Sequence, residues 1–146
     1  MTRRVVRFLA AVLVGYTAAA LAATQSVLAR VHELGLPVGW GTRLDASMHD
    51  LAGMATSLLP LLAIAYLLAF AVAALLTRRW PAATRPLYVL AGAVALVTLH
   101  VALKLSFDIT PVAQARSYGG LAIQALAGAL GGAVFAVTAS RPRPVQ

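Results

Sequence analysis

The residues best equipped to do chemistry lie mostly in the second half of the chain. His100, Lys104 and Asp108 follow one another at intervals of four, a spacing that lines them along one stripe of an α-helix. Arg116 and Gln124 come shortly after, and His49 and Asp50 stand side by side earlier in the chain. Together these residues offer imidazoles, fixed cations, carboxylates and an amide. They suit a small anion or anionic headgroup held by Lys104 and Arg116, with His100 and Gln124 as hydrogen-bond donors. They also suit a proton-responsive site, because histidine changes charge near neutral pH. A purely structural use is the stronger expectation. Lys104 can extend its stem to an interface, Asp108 can pair with Arg116 or Lys104, and His100 can bond Gln124 to hold two helices together.

Other chemistries fit less well. The chain has no cysteine, which excludes disulfides, thiolate nucleophiles and cysteine-ligated metals. Ser47, His49 and Asp50 are the residue types of a hydrolase, but helix neighbours point about 100° apart and form no triad unaided. His32, Glu33, His49 and Asp50 match no standard metal-ligand spacing. His49 and His100 are the minimum pair for bis-histidine haem, yet their expected heights differ by roughly two helical turns or more. The reading is of a chain with no catalytic residues, no metal site and no cofactor.

The elements that must position these residues are apolar. Hydrophobic residues make up 61% of the 146 residues and charged residues 11%, against roughly 25% charged in ordinary soluble domains. Four runs are long enough to span a hydrocarbon core of about 30 Å, which takes about 20 helical residues: residues 8–28, 55–76, 87–105 and 119–138. Helices are the expected form, because a spanning segment must satisfy its own backbone amides. The fold class expected is therefore all-α, an integral membrane bundle of four antiparallel transmembrane helices in a single domain over 1–146. Counting back from Phe107 at about 1.5 Å per residue puts His100 roughly 10 Å below the outer surface.

The net charge is +8, from 12 Lys and Arg against 4 Asp and Glu. The basic residues sit in short clusters between apolar runs, without the basic stripe that nucleic-acid binding needs, so no nucleic-acid partner is expected. The lipid bilayer is the expected partner, with anionic headgroups meeting the clusters. Arg3, Arg4, Arg7, Arg78, Arg79, Arg85, Arg141 and Arg143 fall on one side, and Arg30, Arg43 and Arg116 on the other. That bias predicts a multi-pass protein of a bacterial inner membrane with both termini in the cytoplasm. Met1–Arg7 followed by an apolar run and Ala20-Leu21-Ala22 also has the form of a signal peptide. The apolar run continues to Leu28, which favours a retained helix.

Local signals refine these elements. Asp45 or Ser47 is the expected cap of a second helix starting near Met48. Pro60 is expected to kink that helix and free a carbonyl near Thr56. Thr110-Pro111 reads as the cap and first residue of a fourth helix, bent at Gly119-Gly120. In the fourth run, Gly128 and Gly132 form a GxxxG pair, with Ala125 and Ala136 on the same face. Small residues at this spacing let helix backbones approach closely, within one chain or between copies. The functional expectation is a structural or accessory membrane protein that packs with itself or with a membrane-protein partner. The alternative is a small transporter or sensor that binds an anionic or protonatable ligand in an outward-facing polar pocket.

Overall fold

The computed structural model describes residues 2–107 and 117–139. Among them all regular structure is helical: α1 (Thr2–Glu33), α2 (Trp40–Arg79), a 3₁₀ turn (Pro81–Ala83), α3 (Thr84–Phe107) and α4 (Tyr118–Ala139). All four α-helices are long and apolar enough to cross a membrane.

The helix ends have local causes. The α1–α2 connection opens at Gly35, whose φ of 84° lies in the left-handed region that glycine enters without steric cost. Its amide bonds the His32 carbonyl at 2.9 Å, and Arg30 and His32 complement the helix dipole in the last turn. At the far end of α2 the Trp80 amide bonds Leu76, and Pro81 starts the 3₁₀ turn. Pro86 falls in the first turn of α3, where its missing N–H removes no helical bond.

Two expected boundaries are corrected. The second helix begins eight residues before Met48, after Gly39, with no side-chain cap. Asp45 and Ser47 are interior helical residues, and the Ser47 hydroxyl donates back to the Arg43 carbonyl at 2.7 Å. The earlier start is held by α1, because Gln25 bonds both Ser47 (3.0 Å) and Arg43 (2.7 Å). The fourth helix begins at Tyr118, and the Ser117 hydroxyl accepts the Gly120 amide at 3.1 Å as its cap. Thr110 and Pro111 lie outside the described residues. α2 continues through Pro60, and the Ser57 hydroxyl bonds the Met54 carbonyl at 3.3 Å.

The helices pack in a ring, α1 on α2 and α4, and α3 on α2 and α4. Side-chain distribution is inverted relative to a water-soluble bundle. Large apolar side chains such as Leu13, Ile64, Leu68, Val72, Leu90, Val94, Leu126 and Leu130 point outward. The interior holds alanines, aromatics, the aliphatics Val12, Leu58, Leu62 and Leu96, and four buried polar residues, Thr24, Ser47, His100 and Gln124.

Candidate functional site

The interior has two zones. Toward the α2–α3 connection it is aromatic. The Phe70 ring stacks on Phe135 with centroids 4.6 Å apart and lies 4.9 Å from Tyr66. Tyr88 and Phe8 meet it edge-on at 5.7 and 6.4 Å, a geometry that aligns ring edge with ring face. Tyr66 is fully buried and donates its hydroxyl to the Gly128 carbonyl at 2.9 Å. Its ring lies in a slot between Gly15 of α1 and Gly131 of α4, and a Cβ at either position would run into the ring.

Toward the α1–α2 connection the interior is polar. Thr24 of α1 places its hydroxyl 2.7 Å from the Asp50 carboxylate of α2, and the Tyr16 hydroxyl donates to the Leu51 carbonyl. Between α3 and α4, His100 is 2% exposed and Gln124 is wholly buried. Gln124 donates Nε2 to the Ala19 carbonyl of α1 at 3.2 Å and comes up against the imidazole of His100. Neither ring nitrogen of His100 meets a partner at hydrogen-bonding geometry among the described residues. A buried neutral imidazole carries one donor and one acceptor, and leaving both unmet costs on the order of 1–3 kcal/mol each.

The candidate residues thus divide. His100 and Gln124 come together in the core, and Asp50 is half-buried beside Thr24. Lys104 and His49 are exposed. The stripe of His100 and Lys104 therefore straddles the edge of the α3 contact face, with the imidazole inside and the ammonium outside. Asp108 and Arg116 lie outside the described residues. Gly128 and Gly132 are buried against α3 of the same chain, where a Cβ at Gly128 would strike the Gly92 carbonyl and one at Gly132 the Tyr88 carbonyl. That face is covered by α3 of the same chain.

Sequence reasoning missed the part played by Thr24, Gln25, Arg43 and Ser47. The available signal was the cluster of polar residues late in the first apolar run, Thr24-Gln25-Ser26, where a purely lipid-facing helix has no need of them. No group of three or more His, Asp or Glu residues among those described is placed to hold a metal ion. Compared with known proteins, the chain matches no family model, no curated protein and no solved structure.

Proposed function

We propose that the chain is a single-domain, multi-pass protein of a bacterial inner membrane that serves as a structural or accessory component of a membrane assembly. The observation that carries the membrane reading is the outward placement of large apolar side chains around all four helices. Such an exterior is matched by lipid and not by water. An antiparallel bundle is supported by the contact pairs. Phe8 meets Phe70 while Thr24 meets Asp50, and Tyr88 meets Gly132 while Gly92 meets Gly128. In each pair the numbering rises on one helix as it falls on the other. Cytoplasmic termini are supported by the basic clusters at Arg3–Arg7 and Arg78–Arg85.

The accessory role is supported by helix length. At 1.5 Å per residue α2 is about 60 Å long and α1 about 48 Å, against about 36 and 33 Å for α3 and α4. All four exceed a hydrocarbon core of about 30 Å, and α1 and α2 do so by about 18 Å and 30 Å. Leu34, Leu36, Trp40, Leu44 and Met48 in this extension are all well exposed. Apolar side chains beyond the bilayer call for protein cover, and we assign that cover to a partner membrane protein.

Both parts are testable because the chain has no native cysteine. In intact spheroplasts an impermeant thiol reagent is expected to label Gly39→Cys and to spare Ala82→Cys until the membrane is opened. The reverse pattern defeats the orientation, and labelling of both at once defeats the membrane reading. A photo-crosslinking side chain at Leu44 in the native membrane is expected to give one discrete protein adduct. Lipid adducts alone would exclude the accessory role.

A second reading, a small sensor or transporter, is favoured by one observation, the unpartnered buried imidazole of His100. It predicts that His100→Ala abolishes function while insertion and thermal stability change little. A variant that merely misfolds returns His100 to a structural role.

A further inference from the structure

The four buried polar residues, Thr24, Ser47, His100 and Gln124, lie on the α1–α2 connection side of the aromatic zone. At the rim, Arg43 and Ser47 of α2 bond Gln25 of α1. Further in, the Asp50 carboxylate accepts from Thr24. Deeper still are His100 and Gln124. Beyond them the interior turns aromatic, and its buried hydroxyl, that of Tyr66, is committed to the Gly128 carbonyl. Polar groups thus lead in from one end of the bundle and stop at an imidazole.

The chemistry at that stop is specific. Gln124 has its Nε2 engaged by the Ala19 carbonyl, which leaves Oε1 as the end of the amide able to serve the neighbouring imidazole. An amide oxygen accepts hydrogen bonds and donates none, so what it can hold is an N–H of the ring. In the neutral imidazole the other nitrogen is then a lone pair. What a lone pair takes is a proton, which becomes an N–H and leaves an imidazolium whose charge is shared over both nitrogens. Of the titratable and charged groups at this end, among the described residues, those not exposed are Tyr16 on α1 and Arg43 and Asp50 on α2, while Lys104 on α3 is exposed and α4 supplies the neutral Gln124. The Tyr16 hydroxyl is committed to Leu51, and Lys104 turns outward one turn from His100. Asp50 is the anionic group that lies between this rim and the interior.

We propose that His100 is an internal proton-binding site, entered from the α1–α2 connection end past Asp50 and Thr24, with the Gln124 carbonyl oxygen holding the ring N–H. The proposal rests on the sensor or transporter reading, of which it names the ligand.

The test uses the full chain in lipid nanodiscs. His32 and His49 are exposed, and replacing both by Gln leaves His100 as the one imidazole of the three in the chain. With ¹⁵N-labelled histidine, the ring nitrogens report the protonation state directly. From about pH 8 to about pH 5, the range over which imidazole changes charge, the signals are expected to pass reversibly from one protonated and one bare nitrogen to two protonated nitrogens. Gln124→Leu removes the acceptor and is expected to weaken proton binding about tenfold, a midpoint about one pH unit lower. Gln124→Glu is expected to move it the other way. A His100 that stays neutral throughout in the otherwise unchanged core overturns the proposal, and this arm needs no core substitution to fold. A midpoint indifferent to both Gln124 variants, each checked for unchanged helical melting, overturns the role given to Gln124. Proton flux into dye-loaded vesicles separates the two readings. A titrating His100 without flux removes transport and leaves the site, whereas a silent His100 removes the site and leaves other ligands open.

Discussion

Tyr66 reaches across the bundle from α2, and its hydroxyl donates to the Gly128 carbonyl of α4. Removing that hydroxyl with Tyr66→Phe should cost about 1 kcal/mol, the net worth of a single neutral hydrogen bond. The loss is small because the carbonyl sits within a continuous helix. Gly131→Ala is a harsher change, since its methyl would enter the Tyr66 ring and approach the Ala11 carbonyl. Overpacking against backbone typically costs about 1–3 kcal/mol. Gly53→Ala is the matched control, with nothing within 4 Å of an added Cβ, and should be neutral or stabilising by up to about 1 kcal/mol. Reversible unfolding in mixed micelles measures all three. Equal effects at Gly131 and Gly53 would contradict the slot. Gly128 and Gly132 were legible as a small-residue face from their spacing alone. Their partners were not, because Gly92 and Tyr88 carry no mark in sequence that they lie opposite.

At the scale of elements, α1 belongs to the core. Ala11, Val12, Tyr16, Ala19 and Ala20 are all buried and all precede a cut after Ala22. Cleavage there would strip the interior face of α4 and leave Gln124 without the Ala19 carbonyl. The protein taken from its own membrane should therefore have the intact mass of the uncleaved chain, and a product starting at Ala23 would refute this. The α1–α2 pair is also stitched by polar side chains. Thr24→Val leaves the Asp50 carboxylate without its hydroxyl donor and should cost about 1.5–3 kcal/mol, the scale of a hydrogen bond to a charged group. Asp50→Asn keeps an acceptor and should cost less. A double-mutant cycle over Thr24 and Asp50 reads the coupling, and perfect additivity would mean that the two do not interact. The full reach of α2 was not legible. Asp45, Ser47 and the glycines before them are cap and loop residues by propensity, and contacts with Gln25 of α1 override that local preference.

For the molecule as a whole, the apolar exterior makes a distinctive prediction. Leu68 is 64% exposed, and in a water-soluble bundle Leu68→Arg would be nearly silent. In a lipid-facing position near the middle of a span, arginine costs about 2.5–3.5 kcal/mol on insertion scales. The variant should show reduced insertion in a membrane-fractionation assay, whereas an unchanged membrane yield would argue that this face does not meet lipid. The same change at exposed Leu44, in the extended part of α2 alongside the end of α1, should leave insertion intact.

Four apolar helices, though not the full reach of α2, followed from sequence alone, because hydropathy is a sum over neighbouring residues and needs no knowledge of what lies across the bundle. The meeting of His100 with Gln124 was foreseen as one option among several. Whether Lys104, four residues along the same helix, would join them or extend outward was left open. Whether a side chain points inward depends on how its helix is rotated against its neighbours, and a 40° step around α3 separates a buried imidazole from an exposed ammonium. The aromatic zone is a still clearer case. Phe8, Tyr66, Phe70, Tyr88 and Phe135 come from all four helices and form one cluster only when every pairwise register is set at once. Element length and polarity are properties of the chain read along itself. Contact across the interior is a property of pairs of helices, and tertiary packing alone decides it.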